Sequence, residues 1–305
     1  MNNFFEKMMF SPVWYHYFII VLLFPLSIVY GMIMFIRRMT AQKKDFGIPI
    51  VSVGNLIVGG SGKTPFVIAL ASKYKGVTVI SRGYGRESKG LIEVSRKGKI
   101  LTTVEQSGDE PMLMAMSLAD ASVIVSEDRH KAIALAKKQG AKLIILDDGF
   151  NRVEIEKFEI VLEPEIIKNY LPFPTGAFRE FWFSKKYADI AAKEGRDFVR
   201  KVSFENLSTK MLLVTAISNP ERLDAYLPQG VIKKFYLEDH AYFNEEQLKK
   251  EMLICTAKSL LVTQKDVVKM KNFKLAISEM KLELEIQDEI FIKIKDYIEG
   301  YRSEK

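Results

Sequence analysis

The sequence is poor in the residues that build disulfide scaffolds and metal clusters. It has one cysteine, Cys255, and three histidines among 305 residues. A single cysteine excludes an intrachain disulfide and a cysteine-based metal cluster. The composition therefore fits a reducing compartment, and the length allows a full hydrophobic core in one large or two moderate domains.

A continuous basic run is also missing. The formal net charge is +7, which is compatible with anionic lipid or with phosphate-bearing substrates. The basic residues are scattered, and no basic stretch interleaved with aromatic residues, as in RNA-binding proteins, is present. We therefore expect no nucleic-acid partner.

Charge is absent from one long stretch near the N-terminus. Between Lys7 and Arg37 there is no Asp, Glu, Lys or Arg. As a helix, residues 13–36 would reach about 36 Å, enough for a hydrocarbon core of about 30 Å. Basic residues follow this stretch, so the positive-inside rule places the remaining chain on the cytoplasmic side. We expect residues 1–47 to be a membrane-associated helical segment.

Pro25 and Gly31 interrupt the apolar stretch and leave its arrangement open. One arrangement is a single helix that spans the bilayer, and another is two helices that lie in one leaflet. A buried hairpin of a soluble protein is a third interpretation. The composition alone does not choose among them.

The most informative stretch is residues 48–64. Ile50 to Val53 form an apolar run rich in β-branched residues, as in a strand buried on both faces. After them come Gly59, Gly60, Ser61, Gly62, Lys63 and Thr64, and then a helix-like apolar segment. This is the order of a phosphate-binding loop, whose glycines let backbone N–H groups wrap a phosphate of ATP. Lys63 would reach the β- and γ-phosphates, and the Thr64 hydroxyl would bind Mg²⁺.

The match to the loop consensus is incomplete. The consensus has a glycine five residues before Gly62, where this sequence has Ile57. The alternative is a glycine-rich turn between a strand and a helix, without a nucleotide.

Two other strand ends carry charged residues. Residues 141–150 read AKLIILDDGF, and an apolar strand that ends in Asp147-Asp148 is typical of the Mg²⁺-holding element that accompanies a phosphate-binding loop. The alternative is an acidic turn. Arg82 and Arg86 follow a second predicted strand, at the sheet edge where open α/β folds bind ligands, and are candidates for phosphate contacts. Solvated arginines on a glycine turn are equally compatible with that stretch.

Asp109 and His240 have ordinary interpretations when each is taken alone. Asp109 stands before an apolar helix-like segment, where an N-cap role is the default. His240 comes just after a predicted strand and beside Asp239, a place where histidine is usually structural.

The order of strands and helices predicts an α/β protein with two successive sets of elements. We predict a P-loop NTPase-like domain over residues 48–200 and a smaller C-terminal α/β domain over residues 201–305. The polar, mixed-charge residues 193–210 indicate the boundary between them.

Together these pieces resemble the tetraacyldisaccharide 4'-kinase family, the lipid A 4'-kinases. The motifs that carry the resemblance stand in family order and are VGNLIVGGSGKTP (Val53–Pro65), SRGYGR (Ser81–Arg86), GDEP (Gly108–Pro111), DDGF (Asp147–Phe150), PTGAFRE (Pro174–Glu180), EDHAYF (Glu238–Phe243) and VTQKD (Val262–Asp266). They cover residues 48 to 270, and the apolar N-terminus also matches. The family's loop likewise lacks the first consensus glycine, which answers the objection raised by Ile57.

The resemblance implies two α/β/α domains joined by a hinge. It implies transfer of the ATP γ-phosphate to the 4'-hydroxyl of tetraacyldisaccharide 1-phosphate, a lipid A precursor, at the inner membrane with the catalytic domains on the cytoplasmic side. We expect inner-membrane lipid as a second partner, and a monomer.

The resemblance also implies roles for single residues. Asp109 would be the general base, with His240 assisting it and Lys63 completing the catalytic set. Mg²⁺ would be held by Thr64 and by Asp147 or Asp148, and Glu110 is a further candidate ligand. The candidate substrate contacts are Arg82, Asn151 and Arg179.

The sequence departs from the family pattern in three places. Asn151-Arg152 stands where the family usually has Gln-His, PTGAFRE stands for PAGPLRE, and Gln264 stands where Glu is common. The roles of the missing Gln and His are therefore open, although Asn151 keeps an amide of shorter reach.

One alternative function belongs to a different class: a membrane-associated P-loop NTPase switch without a lipid acceptor. A GTPase of this kind should carry N-K-x-D to recognise guanine. The nearest string is Thr263-Gln264-Lys265-Asp266, with the lysine one place late, which argues against GTP.

Overall fold

A computed structural model describes residues 2–58, 62–163 and 167–303. The α-helices are α1 (Asn2–Phe10), α2 (His16–Thr40), α3 (Lys63–Ala71), α4 (Val104–Ser107), α5 (Asp109–Ser117), α6 (Arg129–Lys138), α7 (Glu245–Cys255), α8 (Gln264–Val267) and α9 (Asp288–Ser303). The strands are β1 (Ile50–Gly54), β2 (Val77–Ser81), β3 (Ile92–Arg96), β4 (Lys99–Ile100), β5 (Ser122–Val125), β6 (Leu143–Asp147), β7 (Phe158–Glu163), β8 (Ile190–Lys193), β9 (Phe198–Glu205), β10 (Met211–Thr215), β11 (Val231–Tyr236), β12 (Ser259–Thr263) and β13 (Ile277–Ile286). Short 3₁₀ helices cover Trp182–Tyr187 and Pro220–Tyr226. The predicted α/β class is confirmed.

The chain divides into two compact units, and each unit is assembled from segments that are separate in sequence. The first contains Met1–Val67, Ile133–Val199 and Ile286–Lys305, and the second contains Ile68–Ala132 and Arg200–Glu285. The domains predicted from the sequence are contiguous instead. Their boundaries near residues 48 and 200 stay a prediction.

The first unit is built on parallel strands in the order β6, β1, β7, β8. All five residues of β1 are buried, as its largely apolar composition, rich in β-branched residues, predicts for a strand covered on both faces. In the register of β1 and β6, Val53 pairs with Asp147. Because parallel strands end at the same edge of a sheet, the start of the glycine loop and the acidic pair emerge side by side.

Helix α2 packs on the first unit along one of its faces. The hydroxyls of Ser27 and Thr175 are 2.6 Å apart, and a Cβ built at Gly31 would lie 2.6 Å from the ring of Phe181. Pro25 lies within a continuous helix. The opposite face is apolar and exposed, and includes Phe18, Val21, Leu22, Val29, Ile33 and Ile36. By length and composition α2 could cross a membrane.

The second unit contains a five-stranded sheet in the order β11, β10, β12, β13, β9. Its core includes Leu212 and Val214 of β10 with Leu260 and Val262 of β12, covered by Leu248 of α7. In the same unit, β4, β3, β5 and β2 are neighbours in that order, and β3 and β4 pair antiparallel in a short hairpin.

Within the polar residues 193–210, Phe198–Glu205 form β9, and one break between the two units falls in this strand, at Val199 and Arg200. From Arg200 onward β9 alternates between half-buried and exposed positions, and it lies at the end of the strand order. An edge strand tolerates charged side chains on its open face. Its mixed-charge composition therefore reflects an edge position in a sheet.

We predict that Gly54→Ala destabilises the protein. A Cβ at Gly54 would lie 2.6 Å from the Cβ of Phe150 and 3.0 Å from its backbone nitrogen, and overpacking of this kind costs about 1–3 kcal/mol. Thermal unfolding should show a lower midpoint for this variant. Gly300→Ala is the matched control, because nothing lies within 4 Å of its added Cβ, and it should leave the midpoint unchanged or raise it. Equal midpoints for Gly54→Ala and the unmodified protein would contradict the prediction.

Candidate active site

The glycine loop in the first unit leads from the end of β1 into α3. Lys63 begins α3, and its Nζ donates to Asn55 Oδ1 at 3.1 Å and lies 3.6 Å from Asp148 Oδ1. Thr64 is buried in the first turn. Gly62 has φ 75°, a conformation that a side chain would strain. The predicted ATP contacts Gly59, Gly60 and Ser61 lie outside the described residues.

The two aspartates after β6 have different surroundings. Asp147 is the last residue of β6 and is buried. Asp148 follows with φ 54°, and its two carboxylate oxygens accept hydrogen bonds from Arg179 Nη1 at 3.0 and 2.8 Å. Burial would raise the pKa of Asp148, but the charges of Lys63 and Arg179 outweigh burial and hold it below its ordinary value. Asp148 is therefore an ionised carboxylate that orders two cationic side chains.

These residues can be compared with what Mg²⁺ requires. The ion prefers hard oxygen ligands and usually keeps several waters or substrate phosphates in its shell. Thr64 and Asp147 supply such oxygens, whereas both oxygens of Asp148 face Arg179. Within the described residues, no three His, Cys, Asp or Glu side chains converge on a metal position. The donor set therefore fits an ion held partly by nucleotide phosphates, with Thr64 and Asp147 as the better-suited protein ligands.

A second cluster, in the second unit, is centred on Asp109. The side chain is nearly buried, at 4% exposure, and His240 Nδ1 lies 3.1 and 3.0 Å from its two oxygens. Lys269 Nζ lies 3.2 Å away and Lys265 Nζ 3.6 Å away. The N-cap residue of α5 is Gly108, so the default N-cap role of Asp109 does not apply. The structure brings together Asp109 and His240, which are far apart in sequence.

The charge state of Asp109 follows from these contacts. Burial alone would raise the pKa of its carboxyl group, but the hydrogen bond to His240 and the charges of Lys265 and Lys269 outweigh burial. The pKa of Asp109 is therefore held well below its usual range. The imidazole and the carboxylate are within hydrogen-bond distance, so a proton can pass between them.

The backbone of His240 is itself unusual. Its φ is 64°, a left-handed conformation that costs a non-glycine residue about 1–3 kcal/mol and is found preferentially at functional sites. Its N–H donates to the carbonyl of Ala216 at 3.1 Å, and the ring of Tyr84 lies 5.4 Å from the imidazole. These contacts hold the ring toward Asp109.

The remaining predicted site residues have diverse surroundings. Arg82 is exposed at the end of β2, with no hydrogen bond or ion pair to the described part of the chain. Glu110, in the second unit, lies 3.7 Å from Lys265. The Asn151 carbonyl accepts from Arg37 at 3.0 Å. Arg86 donates to Glu127 at 2.5 Å and to the carbonyl of Gly90 at 2.6 Å, so it ties its own loop together.

Sequence reasoning missed the two lysines beside Asp109. Lys265 lies in a quoted motif, next to Asp266, whose buried carboxylate accepts from the hydroxyls of Thr215 and Thr263 at 2.6 and 2.7 Å. This anchoring fixes α8 to the sheet and so sets the position of Lys265. Lys269 belongs to none of the quoted motifs, so no local signal marked it.

We predict that Asp109→Asn lowers the free energy of unfolding at pH 7 by about 3–5 kcal/mol, since it leaves buried lysine charge without its partner. The folded pKa of Asp109 lies below its unfolded value near 3.9. The stabilisation is thus complete above that value and is lost as the pH falls below it. Denaturant unfolding should show that the difference in free energy of unfolding between Asp109→Asn and the unmodified protein narrows by about 1 kcal/mol between pH 7 and pH 3. Asp120→Asn, at an exposed position, is the control, and a pH-independent difference for Asp109→Asn would contradict this account.

Comparisons with known proteins agree with one another. The family model "Tetraacyldisaccharide-1-P 4'-kinase" matches residues 19–299. A tetraacyldisaccharide 4'-kinase of Helicobacter acinonychis is 47% identical over 300 residues, covering 98% of this chain and 96% of the relative. One from Campylobacter jejuni is 40% identical over 298 residues, covering 97% and 96%.

A solved structure is also similar. The crystal structure of LpxK from Aquifex aeolicus, in complex with ATP, matches with a TM-score of 0.76 and 28% identity, and covers 90% of this chain and 98% of that one. The similarities in sequence and in fold extend over nearly the whole length of both chains. The chain therefore belongs to the tetraacyldisaccharide 4'-kinase family.

Proposed function

We propose that this protein transfers the γ-phosphate of ATP to the 4'-hydroxyl of tetraacyldisaccharide 1-phosphate, a lipid A precursor. The observation that carries the proposal is the contact of His240 Nδ1 with both oxygens of the buried Asp109 carboxylate, at 3.1 and 3.0 Å. A sugar hydroxyl must lose its proton as it attacks a phosphate, and this pair offers an ionised carboxylate and an imidazole as acceptor groups. The family membership supplies the acceptor class.

Phosphoryl transfer depends mainly on positioning and on neutralising charge. Lys63 would bind the β- and γ-phosphates, and the backbone amides of the glycine loop would wrap them. Asp148 keeps Lys63 and Arg179 ordered through its contacts to both. We propose that Thr64 and Asp147 would hold Mg²⁺, which would supply positive charge near the nucleotide phosphates.

Asp109 accepts the proton of the acceptor hydroxyl in this scheme, and His240 orients the carboxylate and shares the proton. Lys265 and Lys269 keep Asp109 ionised. Arg82 is exposed at the end of β2, where its guanidinium suits a substrate phosphate. Arg179 and Asn151 remain candidate substrate contacts, with Arg179 acting through the same guanidinium that binds Asp148.

We expect the purified protein to form a bisphosphate from ATP, Mg²⁺ and the disaccharide 1-phosphate acceptor. Asp109→Ala should lower kcat by about 10²- to 10⁴-fold, the usual range for loss of a general base, and His240→Ala should lower it as well. Acceptor phosphorylation measured with labelled ATP checks this.

His130→Ala is the matched control, since His130 is exposed near the start of α6, and it should turn over like the unmodified protein. Near-normal turnover by Asp109→Ala would exclude Asp109 as the base. A rate of ATP hydrolysis that does not change when the acceptor is added would favour the alternative function, an NTPase switch, over kinase activity.

We also propose that α2 attaches the protein to the inner membrane by its exposed apolar face while its other face stays on the first unit. The irregular segment that contains Thr175 and Phe181 contacts α2 near its middle. Irregular backbone is not tolerated against lipid in the hydrocarbon core, so this docking favours a helix lying along one leaflet, with the catalytic residues on the cytoplasmic side. The monomeric state stays a prediction.

Leu22→Glu should weaken partition into anionic phospholipid vesicles by about tenfold or more, because it removes a leucine from the lipid and adds a charge. Leu253→Glu in α7 is the matched control, since Leu22 and Leu253 are similarly exposed, at 68% and 72%, and it should leave partition unchanged. Vesicle flotation measures both. Equal partition of Leu22→Glu and the unmodified protein would show that this face does not enter lipid.

A further inference from the structure

Arg38 stands in the basic end of α2, where a positive-inside signal would place it in contact with lipid headgroups. Its side chain is nearly buried instead, at 8% exposure. Nε and Nη2 donate to the two carboxylate oxygens of Glu180 at 2.8 and 2.7 Å. Nη2 also donates to the carbonyl of Phe150 at 3.1 Å, and the guanidinium lies 4.1 Å from the centroid of the Phe150 ring.

The other basic residues at this end are arranged differently. Arg37 is half-exposed and lies 3.6 Å from Glu154. Lys43 is 59% exposed and lies 3.7 Å from Glu156. Exposed ion pairs of this kind contribute little to stability. A bidentate arginine–carboxylate pair, in contrast, fixes the relative orientation of the two side chains as well as balancing their charges. Arg38 is therefore built as an internal contact.

Both partners of Arg38 belong to loops that shape the cluster of Lys63, Asp148 and Arg179, called here the phosphate cluster because it would hold the nucleotide phosphates. Phe150 lies two residues after Asp148. Glu180 follows Arg179, whose Nη1 donates to the Asp148 carboxylate at 2.8 Å and whose backbone N–H donates to the carbonyl of Leu56 at 2.8 Å. One guanidinium thus joins the loop that carries Asp148 to the loop that carries Arg179.

We propose that Arg38 is a positioning residue for ATP: by clamping the two loops together it fixes Asp148 and Arg179, and through them Lys63, for binding of the nucleotide phosphates. The proposal rests on the proposed function, since ATP is the ligand that this cluster would hold. It also makes the docking of α2 on the first unit a condition for an ordered phosphate cluster. The positive charge of Arg38 then serves the nucleotide site and not the lipid surface.

Arg38→Lys is the first test, because it keeps the charge and a contact to Glu180 but cannot reach both carboxylate oxygens and the Phe150 carbonyl together. We expect the dissociation constant for a fluorescent ATP analogue with Mg²⁺ to rise about tenfold. KM for ATP should rise in parallel, while KM for the acceptor and partition into anionic vesicles stay unchanged. Lys43→Gln removes one exposed charge from the same end and should leave nucleotide binding unchanged.

A variant that removes only one of the two charges leaves a buried ion without its partner and can fail to fold. The double variant Arg38→Gln with Glu180→Gln removes both charges at once and avoids this problem. Circular dichroism confirms its folding, and its nucleotide affinity should also fall about tenfold. Unchanged nucleotide affinity in Arg38→Lys or in the folded double variant overturns the proposal. Loss of vesicle partition with normal nucleotide affinity also overturns it, since Arg38 would then be a lipid contact. Nucleotide binding is measured without acceptor, so it tests the role of Arg38 separately from the kinase activity. A protein that binds ATP but phosphorylates no acceptor would contradict the proposed function and would leave the test of Arg38 valid.

Discussion

One interaction recurs in the two candidate clusters: a carboxylate wholly or partly removed from water is held by cationic partners. Asp109 has His240 and two lysines, Asp148 has Arg179 and Lys63, and Glu180 has Arg38. An ionised carboxylate without such partners would cost several kcal/mol in the interior. Each pairing admits few geometries, so the dipoles and charges are set before a ligand arrives, which is the condition for electrostatic catalysis. Glu159 shows the contrast, because burial raises its pKa to about 7 although Lys157 lies 2.6 Å away.

Much of the framework follows from local patterns. An apolar β-branched run predicts β1, and an apolar strand ending in aspartate predicts β6. Asparagine is a preferred N-cap residue, and Asn244 caps α7 by accepting from the N–H of Gln247. Each of these features depends on about ten consecutive residues, the range over which apolar periodicity and helix capping determine local structure. Parallel pairing then carries the strand ends to one edge. That is why Lys63 and Asp148, separated by 85 positions in the chain, could both be named as phosphate-site residues from the sequence.

The pairings themselves were beyond local patterns. His240 and Asp109 are 131 residues apart, and Arg38 and Glu180 are 142 apart. The resemblance joined the first pair, but no motif joined the second. Lys269 was missed for the same reason, because its partner comes from another element. The edge strand β9 was missed because its charged face resembles a linker when its sheet neighbours are unknown.

Helix α2 carries a pattern that fits the two roles proposed for it. Its buried residues His16, Ile20, Ser27 and Gly31 are followed by Arg38, with steps of four or seven positions, so they form one stripe along the helix. A stripe that contains serine, glycine and arginine has no use in lipid, but it suits close contact with protein, since Gly31 admits the Phe181 ring. The rest of the surface is apolar and exposed. A helix that only spanned a bilayer would not need this asymmetry. One that brings an ATP site to a lipid acceptor does, because the same element must hold the membrane on one side and the phosphate-binding loops on the other.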